Sequence, residues 1–370
     1  MRFIVIRSNA KEGVSAIERL VGENLNLPIL KNVLIAADGN GVVFTATNLD
    51  ASATYMVSGK VIEEGRITVP LALLANILTN IQSDRLNLET KENALHIKTD
   101  NYQATLQGIS ADEFPVTPKI KNAKECVEIK GAFLKEAVQQ VVVASQFSDL
   151  RPELNSVLLD FSVDALKLAA TDGFRLAEKT IPQNLFTSSY TEPFKILIPL
   201  KAAQEAVRML KDEEMVKIFH DENQILFKTE RAELTSRLTE GGFPDYHPLI
   251  PKKYTLEATL SRDELLNAIK LGGVFGQKTN EVKFAAHPAK KMVEISSADQ
   301  ALGENNYLLP AKLTGDAAEL FFNWRYLADP LRVMKGNEVF LGFQGGDSPA
   351  LIRAAGDASY FYILKPILKS

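Results

Sequence analysis

The sequence predicts an α+β fold made of three copies of one repeat. Alternating apolar residues run into small hydroxyl side chains near Thr47, Thr171 and Ser297, which are 124 and 126 residues apart. Each copy also combines period-two patterns, typical of strands, with two amphipathic helical patterns. Self-similarity at a fixed period indicates a repeated structural module. Antiparallel sheets covered by helices on one side form an α+β layer architecture.

Residues that precede the second helix of each repeat support this period. Pro70 and Pro199 are 129 residues apart, and Asn323, a good helix cap, replaces proline 124 residues later. Two more pairs of segments match in the same order, Phe114–Pro115 with Phe243–Pro244 and Ile97–Asp100 with Phe227–Glu230. We therefore expect three domains, at residues 1–125, 126–252 and 253–370.

Each repeat is expected to contribute two helices. The first helices are predicted at Asn9–Leu25, Gly131–Phe147 and Ser261–Gly273, and the second at Leu71–Ile81, Leu200–Lys211 and Asn323–Met334. Strands are predicted at Ala94–Thr99, Gln224–Thr229 and Tyr360–Leu364, among others. Pro330 lies inside the last helix, which it should kink or divide because proline has no N–H donor.

Composition excludes several classes of protein. The chain has 370 residues, of which 46% are hydrophobic and 24% charged, as in ordinary globular proteins. We expect neither a membrane-spanning segment nor a signal peptide, since Met1–Arg7 alternates like a strand. Cys126 is the only cysteine, which rules out a disulfide within the chain and favours the cytoplasm. A net charge of −4 argues against a uniformly basic DNA-binding protein, although a basic face remains compatible with it.

Motifs for catalysis or metal binding do not occur. The four histidines, His96, His220, His247 and His287, are scattered without metal-ligand spacing. Glycine-rich phosphate loops and nucleophile or zinc-protease motifs are missing from the sequence. The segment Thr171–Arg175 could hold a catalytic aspartate, but Asp and Gly after an alternating strand are more typical of a tight turn. We therefore expect no catalytic residue, no metal and no cofactor.

Four segments resemble one family, the bacterial DNA sliding clamps, which are the beta subunits of DNA polymerase III. The segment Ala170–Ala177 resembles the signature of the clamp's middle domain, and Gly242–Tyr246 with Leu249–Lys252 resembles the end of that domain. The segment Leu27–Leu34 is similar to the opening of the first domain, and Tyr362–Leu368 to the carboxyl terminus. The resemblance covers the whole chain in order.

The resemblance implies a non-catalytic processivity factor. Its antiparallel sheets would lie outside and its helices would line a central hole, with two copies joined head to tail into a six-domain ring. The ring would encircle double-stranded DNA independently of sequence, in the nucleoid-associated cytoplasm, and would need an ATP-driven clamp loader. The predicted dimer interface pairs the edge near Tyr102 and Leu106 with Val274, Phe275 and a neighbouring strand. A clamp-fold scaffold that does not act on DNA, and an enzyme using Asp172 and Arg175, are the alternatives.

The family also implies two further surfaces. A groove would bind short apolar peptides of the replicative polymerase, the clamp loader, other polymerases and repair proteins. Its residues would be Leu154, Thr171, Gly173, Phe174, Arg175, Leu176, Pro244, Leu249, Asn323, Tyr326, Ile363, Leu364, Lys365, Pro366 and Ile367. The helices would face DNA phosphates through Lys135, Lys201, Arg208, Lys211, Arg262, Lys270, Arg325 and Arg332. Taken alone, those cations would rather indicate ordinary solvated helix faces.

Several positions depart from the family pattern. Phe174 stands where many members have histidine, Pro248 where arginine is common, and Lys369–Ser370 extends beyond the usual end. The groove is therefore expected to be more apolar. Glu23 and Asn24 occupy the place of a DNA-touching arginine, and Pro152–Glu153 replaces a pair of DNA-contacting tyrosines.

Overall fold

A computed structural model describes residues 1–22, 27–117, 120, 124–148, 150–276, 280–345 and 347–368. The helices of this part are α1 (Arg7–Ile17), α2 (Leu71–Asn80), α3 (Gly131–Val142), α4 (Leu200–Met209), α5 (Arg262–Phe275) and α6 (Trp324–Val333). All six lie where the sequence predicts a helix, two in each repeat.

In the described residues each repeat has the order strand, helix, strands, helix, strands, with five strands between the helices in the first two repeats and four in the third. In the first repeat the strands are β1 (Arg2–Ile6), β2 (Asn32–Asp38), β3 (Gly41–Thr47), β4 (Ala51–Val57), β5 (Gly59–Glu63), β6 (Gly65–Pro70), β7 (Arg85–Lys91), β8 (Ala94–Lys98) and β9 (Gln103–Gln107). In the second they are β10 (Val127–Lys130), β11 (Ser156–Phe161), β12 (Ala165–Thr171), β13 (Arg175–Pro182), β14 (Phe186–Ser188), β15 (Phe194–Pro199), β16 (Met215–His220), β17 (Gln224–Lys228) and β18 (Ala232–Arg237). In the third they are β19 (Leu256–Ser261), β20 (Glu281–His287), β21 (Met292–Asp299), β22 (Gly303–Gly315), β23 (Ala318–Asn323), β24 (Glu338–Phe343), β25 (Ala350–Ala354) and β26 (Tyr360–Leu364).

One compact unit comprises Met1–Lys135, Leu185–Thr191 and Lys201–Leu238. Its sheets have the strand orders β5-β1-β7-β8-β9 and β14-β10-β16-β17-β18-β4-β3-β2-β6, and every pair is antiparallel. Helix α1 packs on β3 and β4 through Gly13, where an added Cβ would lie 2.6 Å from Val57 Cγ2. Glycine is therefore what lets this helix approach the sheet so closely.

The other compact unit comprises Glu136–Asn184, Glu192–Leu200 and Thr239–Ser370. Its strand order is β15-β11-β12-β13-β26-β25-β24-β19-β22-β21-β20-β23, again antiparallel throughout. Helices α5 and α6 pack together where Gly273 contacts the Trp324 ring. This contact leaves no space for a Cβ atom at position 273. Antiparallel sheets with packed helices confirm the α+β prediction.

Equivalent turns show the repeat in atomic detail. Thr47 Oγ1 donates to Ala51 O at 2.8 Å and accepts from Leu49 N–H at 3.1 Å. Thr171 Oγ1 makes the same two bonds, to Arg175 O at 2.6 Å and from Gly173 N–H at 3.1 Å. Leu49 and Gly173 share a positive φ, 79° and 89°. In the third repeat β21 and β22 stay paired beyond Ser297. The turn between them is held by Asp299, whose Oδ1 accepts from the N–H groups of Ala301 and Leu302.

Two first helices end earlier than predicted. Helix α1 stops at Ile17, because Glu18–Leu20 tightens into a 3₁₀ turn that buries Leu20. The rest of that predicted helix lies partly outside the described residues. Helix α3 stops at Val142 instead of Phe147, since Ser145 satisfies the Val142 carbonyl with both its N–H and its hydroxyl. The adjacent β-branched residues 141–143 also weaken the helix.

Pro330 does not divide α6. Proline leaves the carbonyl four residues earlier, that of Tyr326, without its helical partner. The buried hydroxyl of Tyr362 on β26 donates to this oxygen at 3.0 Å. A tertiary hydrogen bond thus replaces the missing helical one.

No helix within the described ranges is long and apolar enough to cross a membrane. The same ranges contain no group of three or more His, Cys, Asp or Glu side chains arranged to hold a metal ion.

Candidate functional site

An open cavity of about 190 Å³ lies in the second compact unit, beside the Thr171–Arg175 turn. Ten of the predicted groove residues line it: Leu154, Thr171, Gly173, Phe174, Arg175, Leu176, Pro244, Leu249, Ile363 and Lys365. Four distant segments of the sequence therefore converge on one mostly apolar depression.

The turn under this cavity is held by its own side chains. Asp172 Oδ1 accepts from the N–H groups of Phe174 and Arg175 at 2.9 and 3.0 Å. Phe174 O accepts from Lys365 N–H at 2.9 Å, which fixes the turn to the end of β26. Phe174 itself is 63% exposed. A rigid backbone thus presents an apolar ring to solvent, as a binding surface requires.

Arg175 anchors the turn from below. Its guanidinium donates to Asp172 Oδ2 at 2.9 Å and to Asp329 Oδ2 on α6 at 2.6 Å. It also lies 4.0 Å from the centre of the Tyr326 ring, close enough for a cation–π contact. Burial opposes the charge, but Tyr362, Asp172 and Asp329 together raise the pKa of Arg175 above its ordinary value. The arginine is therefore a buried, fully charged structural link.

A second buried polar pair holds Tyr246, another residue that lines the cavity. Tyr246 Oη donates to Glu178 Oε2 at 2.5 Å, and both side chains are almost completely buried. Burial is the main cause of the raised pKa of Tyr246, so its hydroxyl stays a donor. The Tyr246 ring packs with Leu158, Leu176 and Ile363 in one apolar cluster. This cluster gives the cavity a fixed floor.

Five predicted groove residues do not line the cavity. Asn323 caps α6 by accepting from Arg325 and Tyr326 N–H, and Tyr326 lies under Arg175. Leu364 is buried at the end of β26. Pro366 follows that strand, and Ile367 N–H donates to Phe321 O at 2.7 Å. These five residues support the groove from behind its lining or lie on the C-terminal tail beside it.

Four lining residues were not predicted: Arg151, Asp245, Tyr246 and Pro349. Asp245 and Tyr246 belong to a segment that already carries the family resemblance, so the sequence contained a signal for them. Arg151 pairs at 2.9 Å with Glu153, which belongs to the Pro152–Glu153 departure from the family pattern. Nothing in the sequence singles out Pro349.

Most of the predicted DNA-facing cations have acidic neighbours. The pairs are Lys135 with Asp212, Arg208 with Glu205, Lys211 with Glu12, Arg262 with Asp263, and Arg332 with Asp329. Arg325 instead donates to Asn280 Oδ1 at 3.1 Å and stacks over the Trp324 ring. Lys201 and Lys270 are exposed. The helices therefore carry cations whose charge is partly balanced within the chain.

The predicted interface residues lie at a sheet edge and a helix end. β9 is the last strand of its sheet. Tyr102, just before it, is 40% exposed, whereas Leu106 is buried and can offer a partner only its backbone. Val274 and Phe275 end α5, and Val274 is 51% exposed.

Comparison with known proteins covers the chain from end to end. The N-terminal, central and C-terminal domain models of the DNA polymerase III beta subunit match residues 1–118, 128–245 and 247–367. The beta sliding clamps of Synechococcus elongatus and Bacillus subtilis are 29% and 28% identical, each over 99% of both chains. The crystal structure of the DNA polymerase sliding clamp from Bacillus subtilis covers all of both chains with a TM-score of 0.93 at 27% identity. The chain belongs to the DNA polymerase III beta subunit family.

Proposed function

We propose that this chain is a DNA sliding clamp that gives the replicative polymerase its processivity without any chemistry of its own. Two copies join head to tail and enclose duplex DNA, so the ring is retained because it is threaded. A weakly bound polymerase then stays at high effective concentration. The single observation that carries the proposal is the match to sliding clamps over the full length, in sequence and in fold. The repeats are domains divided near residues 125 and 252.

The groove is the proposed docking site for partner proteins. Its apolar lining and rigid turn suit short peptides with apolar anchors, from polymerases, the clamp loader and repair proteins. Exposed Phe174 would be the first contact, and Lys365 at the rim could pair with an acidic peptide residue.

DNA is proposed to be held by charge and topology rather than by base recognition. Phosphate contacts from the helix cations carry no sequence information, so the ring can slide. The partial pairing of these cations within the chain suits weak, mobile contact. We place the protein in the nucleoid-associated cytoplasm, where a clamp loader would open the ring.

A catalytic alternative gains no support from the geometry. The Asp172 carboxylate is 2% exposed and already holds two backbone N–H groups and Arg175. It has no free oxygen facing the cavity for a substrate. The full-length matches to sliding clamps also do not favour a scaffold that never acts on DNA.

Retention on DNA of different topology tests the proposal. The protein is loaded by a clamp loader onto a nicked circular plasmid, and the bound fraction is followed by gel filtration. We expect slow loss from the circle and rapid loss after a restriction enzyme cuts it. Equal retention on the intact and cut molecules would contradict the proposal.

A further inference from the structure

The two joints inside the chain, where a strand of one repeat pairs with a strand of the next, are built alike. β4 pairs with β18 in one compact unit, and β13 pairs with β26 in the other. Met56 N–H donates to Arg231 O, and Thr180 N–H donates to Ser359 O, both at 2.7 Å. One geometry thus occurs twice.

Each joint also carries the same ion pair, which we call the clasp. Glu12 on α1 accepts from Lys211, just after α4, and Glu136 on α3 accepts from Lys335, just after α6. Both pairs span 199 residues. The clasp therefore joins the first helix of one repeat to the end of the second helix of the next. The Lys211 bond is the largest cause of the lowered pKa of Glu12.

The third repeat has a different residue at the glutamate position. Glu12 and Glu136 lie two residues after Ala10 and Leu134, the first buried apolar residues of α1 and α3. In α5 the first buried residue is Leu265, so the equivalent position is Asn267, which is exposed.

The first repeat likewise has no lysine at the position equivalent to Lys211 and Lys335. Lys211 and Lys335 directly follow Leu210 and Met334, whose N–H groups donate to the carbonyls four residues earlier. In the first repeat the residue that makes this bond is Ile81, which donates to Ile77 O. The next residue is Gln82, also exposed.

We propose that a second copy of this chain completes a third joint in which Asn267 of one copy faces Gln82 of the other, so that the ring closes without a clasp. This inference rests on the proposed ring. The strand edges it needs are present: Tyr102–Leu106, and Gly303–Tyr307 at the start of β22. In the part of the chain that the structure describes, no strand pairs with the outer edge of either.

At the clasp position, the joint between copies has a neutral amide pair where each joint inside the chain has an ion pair. A neutral hydrogen bond contributes less than a charge-assisted one and is hardly affected by salt. The joint that must open for loading therefore has no ion pair at the clasp position.

Building the missing clasp tests the inference. The variant N267E/Q82K should lower the Kd of the dimer about threefold to twentyfold at low ionic strength, because two exposed ion pairs form per ring. Roughly 1 M NaCl should remove most of this gain, since the Debye length falls to about 3 Å. Sedimentation velocity on a dilution series measures the dimer Kd at low and at high salt.

Matched variants separate the clasp from a general effect of charge. N267E/N40K carries the same charges, but Asn40 is in the β2–β3 turn, so its Kd should not fall. The swapped pair N267K/Q82E should behave like N267E/Q82K. Equal Kd values for N267E/Q82K and N267E/N40K would overturn the inference while leaving a wild-type dimer intact. A wild-type protein that stays monomeric at every concentration would instead overturn the proposed function.

Discussion

At the scale of single residues, Arg175 connects the groove to the rest of its unit. One guanidinium holds the Asp172 turn, Asp329 on α6 and, at 3.4 Å, the Ser145 carbonyl after α3. A buried charge is tolerated only when it is fully paired, and removing one partner leaves the others desolvated and uncompensated.

Arg175→Ala should therefore lower the free energy of unfolding by about 3–5 kcal/mol. It should also weaken binding of a synthetic peptide with apolar anchors, because the turn loses its anchor. Urea unfolding followed by circular dichroism and peptide fluorescence anisotropy measure the two effects.

The neighbouring residue provides the control. Phe174→Ala removes an exposed ring that no core depends on, so stability should change by less than about 0.5 kcal/mol while peptide affinity still falls. Unchanged peptide affinity in both variants would exclude this cavity as the peptide site.

At the residue scale, the family motif predicts groove residues that belong to one turn. Gly173, Phe174 and Arg175 line the cavity because they belong to one turn whose geometry the sequence prescribes. Pro349 and Arg151 reach the same cavity only through the packing of distant segments, which no local pattern encodes. Asn323 and Tyr326, which are also predicted groove residues, cap α6 and lie under Arg175.

At the scale of elements, α6 depends on a bond from outside the helix. Tyr362 Oη donates to the Tyr326 carbonyl that Pro330 leaves without a helical partner. We expect Tyr362→Phe to cost about 1–3 kcal/mol of unfolding free energy, since a buried acceptor loses its partner.

A double-mutant cycle isolates this bond. Pro330→Ala restores an N–H at position 330, which can bond to Tyr326 O. Tyr362→Phe should then cost less in the Pro330→Ala background than in the wild type. An equal cost in both backgrounds, measured by urea unfolding, would show that the hydroxyl acts elsewhere.

The elements show which signals in the sequence are local. All six helices were predicted, because amphipathic periods and Pro or Asn starts are local features. The predicted C-terminal ends of α1 and α3 are wrong, because both helices end earlier in the structure. The end of α1 depends on tertiary packing, because Leu20 enters the core through a 3₁₀ turn. The end of α3 depends on a local contact, because Ser145 bonds to Val142 O three residues earlier.

At the scale of the whole molecule, charge and topology make separate contributions. Replacing Lys201, Arg208, Arg325 and Arg332 with Gln should slow loading and flatten the salt dependence of DNA affinity by roughly one unit of log–log slope per lost phosphate contact. Retention of rings already closed on circular DNA should change little, because threading does not require charge.

Four strand lysines give a matched control. Replacing Lys91, Lys167, Lys228 and Lys312 with Gln changes the net charge equally but alters β7, β12, β17 and β22 instead of helices. Loading rates and salt slopes should then stay near wild type. Identical behaviour of the two quadruple variants would mean that the helix cations do not meet DNA.

The twin turns at Thr47 and Thr171 have a consequence for inhibitor design. A compound that recognised only the backbone of the Thr171 turn would meet the same hydrogen-bond pattern a second time in one molecule. At the other turn, however, the Leu49 side chain projects where Gly173 has none. Selectivity must therefore come from the space above that glycine and from the Phe174 ring beside it.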